Sequence, residues 1–208
     1  MLSTNGSQLA ITHDDAGQII QKLDTDSIGN IINQYDYTYD ATGKVTVELS
    51  SVEPQLYDLT SLTMVYGQGN RLISYDGQDV EYDADGNMTF GPLNGQMVEY
   101  IYDSRNRLIQ AGDTEYIYDA ENNRIASIED GLRTDYVTNP HAHLSQLLVE
   151  STSGNETYYV YGIGLIGHQE PNGDYRTYHF DIRGSTTAIT NQDGVVTDRF
   201  QYGPYGEI

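Results

Sequence analysis

Tyrosine and aliphatic residues alternate with polar residues over several short stretches of the chain. The stretches EYIY at 99–102 and TYYVY at 157–161 show this alternation. A period of two residues is typical of a strand with one buried face, whereas an amphipathic helix repeats every 3.6 residues. No segment sustains the helical period. The pattern therefore predicts an all-β fold with almost no helix.

Four short phrases that begin with Tyr-Asp recur between the alternating stretches. They read YDATGKV, YDADGNM, YDSRNRLI and YDAENNRI, and their first residues are 43, 20 and 16 positions apart. This spacing is too irregular for propeller blades or a strict solenoid, so it favours a continuous meandering antiparallel sheet of hairpins. The residues of these repeats are Tyr39, Asp40, Gly43, Tyr82, Asp83, Gly86, Tyr102, Asp103, Asn106, Tyr118, Asp119 and Asn122.

The third residue after each Asp of these phrases is Gly or Asn. Gly and Asn adopt positive φ at the lowest cost, which predicts a tight turn at that position. The Asp carboxylate can accept N–H bonds from the residues that follow it and so hold the turn. Each phrase is therefore predicted to be a strand, an Asp-anchored turn and a second strand.

A more specific pattern lies near the C-terminus. The stretch YHFDIRGST at 178–186 is followed by NQDG at 191–194 and YGPYGE at 202–207. With the Tyr-Asp phrases, this ordered set resembles the Rhs or YD-repeat family, which includes bacterial polymorphic toxins, Tc toxin C components and teneurins. The C-terminal part resembles the start of the Rhs-associated core domain, except that Gly203 stands where Asp is usual. The core-motif residues are Tyr178, His179, Asp181, Gly184, Ser185, Tyr202, Pro204, Tyr205 and Gly206.

The resemblance implies a long β-sheet strip that spirals into a hollow cocoon around a C-terminal toxin or effector. The chain is then an open segment of this shell, with a YD-repeat strip at 1–177 and the beginning of the core domain at 178–208 in the same sheet. Its partners would be the remainder of its own shell and the enclosed effector. The autoprotease motif of related bacterial cores lies beyond the matched stretch, so no catalytic residue is assigned and no enzyme is expected.

Composition and charge narrow the range of partners. The 19 tyrosines, with no tryptophan, suit half-buried sheet faces on which the hydroxyl finds water or a partner. A net charge of −21 repels phosphate backbones and anionic lipid headgroups, so neither nucleic acid nor a membrane surface is an expected partner. The chain has no cysteine and no apparent signal peptide. The resemblance implies a secreted or cell-surface bacterial protein.

Three short patterns resemble ligand sites. GIGLIG at 162–167 fits a dinucleotide fingerprint, but the HQEPNG that follows reads as a turn and not as a helix. DADGN at 83–87 resembles a calcium loop with its Gly in the wrong place, although weak calcium binding by turn oxygens stays open. The pairs His141/His143 and His179/Asp181 each lack a third zinc ligand nearby. We therefore expect no cofactor and no metal.

A second function remains open from the residues alone. Tyrosine-rich sheet faces can stack on sugar rings, and Asn and Asp turns can bind sugar hydroxyls, which describes an extracellular adhesion or carbohydrate-binding module that contacts cell-surface glycans. A strip that does not close also leaves strand edges unpaired. The sequence therefore predicts possible edge-to-edge self-association.

Overall fold

The computed structural model describes residues 5–51, 61–142, 144–162 and 164–202. Strands make up 58% of the structure, and among the described residues a single 3-10 turn at Gln68–Asn70 is the one helical element. All strand pairs are antiparallel neighbours along the chain. The all-β meander predicted from the alternation is therefore confirmed.

Twenty strands lie within the described residues. They are β1 Gln8–His13, β2 Ile19–Thr25, β3 Ile31–Tyr39, β4 Val45–Ser50, β5 Met64–Tyr66, β6 Leu72–Tyr75, β7 Gln78–Asp79, β8 Glu81–Tyr82, β9 Met88–Leu93, β10 Gln96–Tyr102, β11 Leu108–Ala111, β12 Thr114–Tyr118, β13 Arg124–Glu129, β14 Leu132–Asn139, β15 Gln146–Thr152, β16 Asn155–Tyr161, β17 Leu165–Gln169, β18 Tyr175–Phe180, β19 Thr186–Thr190 and β20 Val196–Arg199. Their short lengths and short connections are typical of a hairpin meander.

The chain divides into two compact units. The first consists of residues 1–57 and 157–208, and the second consists of residues 58–156. The sequence boundary proposed after residue 177 falls inside β18. The separation of a repeat strip from a core domain at that position stays a prediction about family organisation.

The first unit contains two runs of strands. Strands β1 to β4 form one antiparallel sheet in sequence order, and β17 to β20 pair in order from β16 onward. Alternate residues of β3 are buried, namely Asn33, Tyr35 and Tyr37. The same period places His179, Ala188 and Thr190 on one buried face of the other run. This alternation provides each run with one buried face.

The second unit repeats the same construction. Strands β5 to β7 form a small sheet, and β8 to β15 follow one another in a longer one. The ladder register shifts at the last residue before several turns, as at Tyr82, Tyr102 and Tyr118. Such bulges increase the local twist of a sheet and change the direction of the side chain. The tyrosine of each Tyr-Asp phrase in this unit therefore occupies a bulge next to its turn.

Candidate functional site: repeat turns and a polar cluster

The Tyr-Asp turns share one hydrogen-bond network, which is clear at Asp83. Its main-chain N–H donates to the carbonyl of Asn87 (2.9 Å), and its carbonyl accepts from the N–H of Gly86 (3.2 Å). Its Oδ1 accepts the main-chain N–H groups of Asp85 (3.0 Å) and Asn87 (2.8 Å). The carboxylate thus satisfies donors that the turn removes from the ladder.

The same network recurs at other turns, where the Oδ1 of the first residue accepts N–H groups two and four residues later. These first residues are Asp14, Asp26, Asp40, Asp103, Asp181 and Asn191. At Asp119 the Oδ1 accepts the N–H of Asn123 (2.8 Å). This side-chain geometry therefore recurs at turns from Asp14 to Asn191 along the described chain.

The turn residues of the four Tyr-Asp phrases lie in the left-handed region of backbone space. Their φ values are 82° at Gly43, 91° at Gly86, 57° at Asn106 and 73° at Asn122. Gly has no Cβ to clash in this region, and Asn tolerates it better than most residues. The local backbone conformation therefore explains the residue type at each of these positions.

Hydrogen bonds to the turn carboxylates favour their ionised form. The Thr42 hydroxyl lowers the pKa of Asp40, and the side-chain amide of Asn87 lowers the pKa of Asp83. The Arg107 main-chain N–H and its guanidinium lower the pKa of Asp103. The side-chain amide of Asn123 lowers the pKa of Asp119. Asp40 and Asp83 are exposed and Asp103 and Asp119 are half-buried, and in all four hydrogen bonding to the charged form outweighs desolvation.

The tyrosine of a phrase contacts an earlier repeat. The hydroxyl of Tyr82 donates to the Leu72 carbonyl (2.8 Å), and the hydroxyl of Tyr118 donates to the Leu108 carbonyl (2.8 Å). Tyr39 makes the corresponding bond to the Ile19 carbonyl (2.7 Å). In each case the acceptor is the first residue of a strand that follows an earlier turn. Tyr118 thereby links the Asp119 turn to the Asp103 turn, and Tyr39 reaches past the Asp26 turn to the strand after the Asp14 turn.

Arginine side chains cover two of these tyrosine rings, which the sequence reading did not predict. The Arg71 guanidinium lies 4.8 Å from the ring centroid of Tyr82, and that of Arg107 lies 5.1 Å from the ring centroid of Tyr118. Arg107 also pairs with Asp103 at 2.6 Å. Both arginines precede their tyrosine by the same number of residues. This shared spacing is the signal by which they could have been found.

The core-motif residues occupy β18, the turn after it and the C-terminal end of the described chain. Asp181 Oδ1 accepts the N–H of Ser185 (2.9 Å), and Gly184 has a φ of 86°. The Tyr178 hydroxyl lies 3.1 Å from Nδ1 of His168. Tyr202 is exposed. The remaining motif positions, Pro204, Tyr205 and Gly206, lie outside the described residues.

His179 belongs to a buried polar cluster within the first unit. Its Nε2 lies 3.0 Å from Oγ1 of Thr190, and its Nδ1 lies 3.6 Å from Oδ1 of Asp24 on β2. The other carboxylate oxygen of Asp24 is 4.0 Å from Nζ of Lys22 and has no hydrogen-bond partner within the described part of the chain. The Nζ of Lys22 also contacts the Phe180 carbonyl. The cluster therefore joins β2 to β18 and β19.

Further polar contacts extend the junction between β1–β4 and β18–β20. Arg199 Nη1 donates to the carbonyl of Ile32 (3.0 Å) and to Oδ1 of Asn33 (3.1 Å). Asn33 Nδ2 donates to Oγ1 of Thr187 (3.0 Å). Asn5 Nδ2 donates to Oγ1 of Thr190 (3.0 Å). The two sheets of this unit are thus connected by hydrogen bonds as well as by apolar packing.

Burial shifts the pKa values of ionisable groups in and beside the cluster. Burial lowers the pKa of Lys22, because desolvation penalises its ammonium, and the negative charges of Asp24 and Asp181 oppose this shift. Burial also raises the pKa of Tyr35 on the same sheet face. The Lys22–Asp24 pair lies within β2, and a buried ion pair is weak evidence for stability. The contacts of Lys22 with the Phe180 carbonyl and of Asp24 with His179 are the ones that cross to β18. The cluster therefore fixes the position of β18 against β2.

Asp24, His179 and Thr190 stand in the order acid, base and hydroxyl that hydrolases use. The details do not fit that chemistry. Thr190 is fully buried, its hydroxyl oxygen already accepts a bond from Asn5, and the Asp24 to His179 distance is longer than a hydrogen bond. A substrate cannot contact a hydroxyl enclosed in this way, so the arrangement is structural.

The described residues include part of the other candidate ligand sites. Over the ranges that the structure covers, no three His, Cys, Asp or Glu side chains come together as metal ligands. His141 is exposed, and its sequence neighbour His143 lies outside the described residues. In the glycine-rich stretch, Gly162 lies between β16 and β17, and Gly167 lies within β17. No helix in the described part of the chain is long and apolar enough to cross a membrane.

Comparison with known proteins places these features in a family context. A family model described as Teneurin YD-shell matches residues 2–208. Solved structures described as TcdB2-TccC3-TEV and TcdB2-TccC3-Cdc42 superpose with TM-scores of 0.58 and 0.56, at 13% and 12% sequence identity. Each alignment covers 99% of this chain and 15% of the other. None of the curated proteins compared with the chain matches it.

These likenesses bear on the sequence-based interpretation in two ways. The family match and the shared fold confirm the resemblance to YD-repeat shells that the Tyr-Asp phrases indicated. At such low identity the solved structures support the fold alone. Because the chain spans about 15% of their length, the binding partners of those complexes are not assigned to this chain. Nothing in the comparisons supports the glycan-binding alternative.

Proposed function

Because the chain belongs to the Teneurin YD-shell family, we propose that it is a wall segment of a β-shell that encloses an effector polypeptide in an Rhs- or Tc-type toxin. The observation that carries this proposal is the family match over residues 2–208. The contacts made by the repeat side chains agree with this proposal. The repeat Asp, Tyr and Arg side chains hold turns and neighbouring strands together, as a wall requires.

The partners follow from the same proposal. The strands at the ends of the β1–β4 sheet pair on one side only within the described residues, and so does β20. Unpaired strand edges are ready acceptors for further strands. We propose that the remainder of the shell pairs with some of these edges and that the effector lies inside. The related structures contain TcdB2 together with TccC3, which agrees with a shell built from a larger assembly.

The proposal also covers chemistry and location. The chain acts as a structural element and carries out no reaction of its own, because its best acid–base–hydroxyl arrangement is enclosed. We place the parent protein outside the bacterial cell or on its surface, as the toxin relatives imply. Because the chain carries out no reaction of its own, the purified chain should remain intact on prolonged incubation at neutral pH. A discrete internal cut seen by intact-mass spectrometry would contradict the non-catalytic role.

Encapsulation is tested on the complete gene product that contains this segment. A polypeptide enclosed by the shell should be cut by trypsin at least about ten-fold more slowly than the same polypeptide expressed alone, because a protease acts only on accessible chain. Mild urea, which opens the shell, should remove this protection. Equal cleavage rates with the shell folded would reject encapsulation. Circular dichroism dominated by β-structure provides the check that the shell is folded.

A further inference from the structure

A cavity on the second unit differs in charge from the rest of the chain. It has a volume of about 450 Å³ and is lined by Tyr118, Asn122, Asn123, Arg124, Tyr136, Thr138, Ser145 and Leu147. Among the described residues its lining includes one arginine and no carboxylate, although the whole chain has 31 acidic and 10 basic residues. Volumes of roughly 300–1,000 Å³ are typical of small-molecule sites. The cavity is therefore suited in size and charge to a small anion.

Arg124 is held in place by aromatic rings and not by an acid. Its guanidinium lies 5.3 Å from the ring centroid of Tyr116 and 5.6 Å from that of Tyr136. Among the described residues it makes no hydrogen bond and no ion pair. The N–H donors of this planar group are thus free while the rings restrict its orientation. A guanidinium presented in this way favours bidentate binding of a carboxylate.

Comparison with Arg107 shows why Arg124 is free. In the repeat of Asp103, the fourth residue after the Asp is Arg107, which pairs with that carboxylate. In the next repeat the fourth residue after Asp119 is Asn123, whose side-chain amide donates to Asp119 Oδ2 (2.9 Å). The arginine follows one residue later, so the turn acid is already occupied. This one-residue displacement turns Arg124 toward the rings.

We propose that this cavity binds a small carboxylate carried on an apolar or aromatic body. Arg124 would hold the carboxylate, and the ring of Tyr136 with the side chain of Leu147 would contact the apolar part. Asn122 stands beside the site, and its Oδ1 lies 3.5 Å from Nη1 of Arg107, which orients its amide. The ligand is the carboxylate of either a free acid or a polypeptide C-terminus. This inference does not depend on the encapsulation of an effector.

The test is an NMR titration of the intact chain with benzoate, and with N-acetyl-phenylalanine as the mimic of a polypeptide terminus. The neutral amides benzamide and N-acetyl-phenylalaninamide are the matched ligands. We expect resonances of residues 118–124 and 136–147 to shift with the acids. Binding of the amides should be at least about ten-fold weaker, since a charge-assisted hydrogen bond is stronger than a neutral one. Binding of N-acetyl-phenylalanine identifies the polypeptide source, and binding of benzoate alone identifies a free acid.

Variants separate the site from general charge effects. Arg124→Gln should weaken acid binding about ten-fold or more, whereas Arg71→Gln, which removes another ring-stacked arginine away from the cavity, should leave it within about two-fold. Asn122→Asp retains a residue that tolerates positive φ and adds a repelling charge, so it should also weaken binding. Equal binding of acids and amides, unchanged binding to Arg124→Gln, or tighter binding of inorganic phosphate than of benzoate would overturn the proposal.

Discussion

The aspartate that begins each turn performs a role that a neutral side chain can also perform. Its Oδ1 accepts two main-chain N–H groups, and Asn191 makes the same two bonds with an amide oxygen. The geometry therefore requires an acceptor on a short side chain and not a charge. The charge adds strength, because hydrogen bonds to an ionised acceptor are about twice as strong as neutral ones. This difference predicts a pH dependence at the scale of single residues.

Stability should fall in acid because of these carboxylates. The pKa values of Asp40, Asp83, Asp103 and Asp119 are lowered by folding. A group with a lowered folded pKa contributes stability above its unfolded pKa, and this contribution is lost as pH falls through the folded pKa. Urea midpoints should therefore decline from about pH 5 downward. A variant with Asn at all four positions should show a shallower decline, and identical slopes would contradict the assignment.

The positive φ of the turns predicts which substitutions are tolerated. Gly43→Val and Gly86→Val should each lower the free energy of unfolding by about 1–3 kcal/mol, because a β-branched residue is strained in this region. Asn106→Gly should change it by much less, since Gly adopts the same φ freely. Urea denaturation measures the difference. Valine variants with the midpoint of the unsubstituted chain would show that these turns can adopt another conformation.

At the scale of strands, the repeats are linked by side chains that bridge to the preceding hairpin. The hydroxyl bond of Tyr118 to Leu108 and the stacking of Arg107 on the ring both join the Asp119 turn to the Asp103 turn. Stability of this kind is shared between nearest neighbours, as in other repeat proteins. Loss of one link should therefore weaken two adjacent hairpins together.

Removal of the tyrosine hydroxyl tests this link. Tyr118→Phe and Tyr82→Phe should each cost about 0.5–1.5 kcal/mol, the net contribution of one hydrogen bond. Tyr66→Phe is the control, because Tyr66 is exposed and its hydroxyl donates to the Met64 sulfur as its one hydrogen bond within the described residues. Hydrogen exchange should show faster opening of β11 and β12 in Tyr118→Phe. If all three variants unfold alike, the hydroxyl bonds do not couple the repeats.

The cluster around His179 is tested by an isosteric substitution. Thr190→Val leaves the shape of the buried side chain and removes the oxygen that His179 Nε2 and Asn5 Nδ2 contact. We expect a loss of about 1–3 kcal/mol, because buried polar groups are left without a partner. Thr197→Val on the exposed part of β20 should be nearly neutral. Equal unfolding free energies for both variants would show that the cluster does not hold the sheets.

Sequence and structure agree where the interactions are local. The turn at Asp83 is predictable because the acceptor, the donors and the positive φ of Gly86 all lie within five consecutive residues. The cluster of Asp24 with His179 is not, because residues far apart in the chain meet only when two sheets pack. Alternation shows that one face is buried but does not identify the partner face. The contact between Arg124 and the ring of Tyr136 is likewise created by the fold, so the sequence alone does not predict it.

At the scale of the whole molecule, the net charge opposes the association between copies that exposed strand edges and apolar side chains favour. The net charge of −21 repels a second copy of the chain. Val45, Val47 and Leu49 on β4 are exposed large aliphatic residues on a strand that pairs with β3 on one side within the described residues. An exposed apolar edge strand promotes association. The balance between these two effects should depend on ionic strength.

Association should therefore increase with salt. Repulsion between copies is screened over about 10 Å at 0.1 M salt, whereas strand pairing at an edge uses main-chain hydrogen bonds that salt affects little. Light scattering from about 20 mM to about 500 mM NaCl should show a rising average mass. Leu49→Lys, which places a charge on the edge strand, should suppress the rise, and Ile28→Lys, at an exposed turn, should not. A mass that stays monomeric at every salt concentration would mean that the edges of β1, β4 and β20 are protected, and an open shell segment would then be the wrong description.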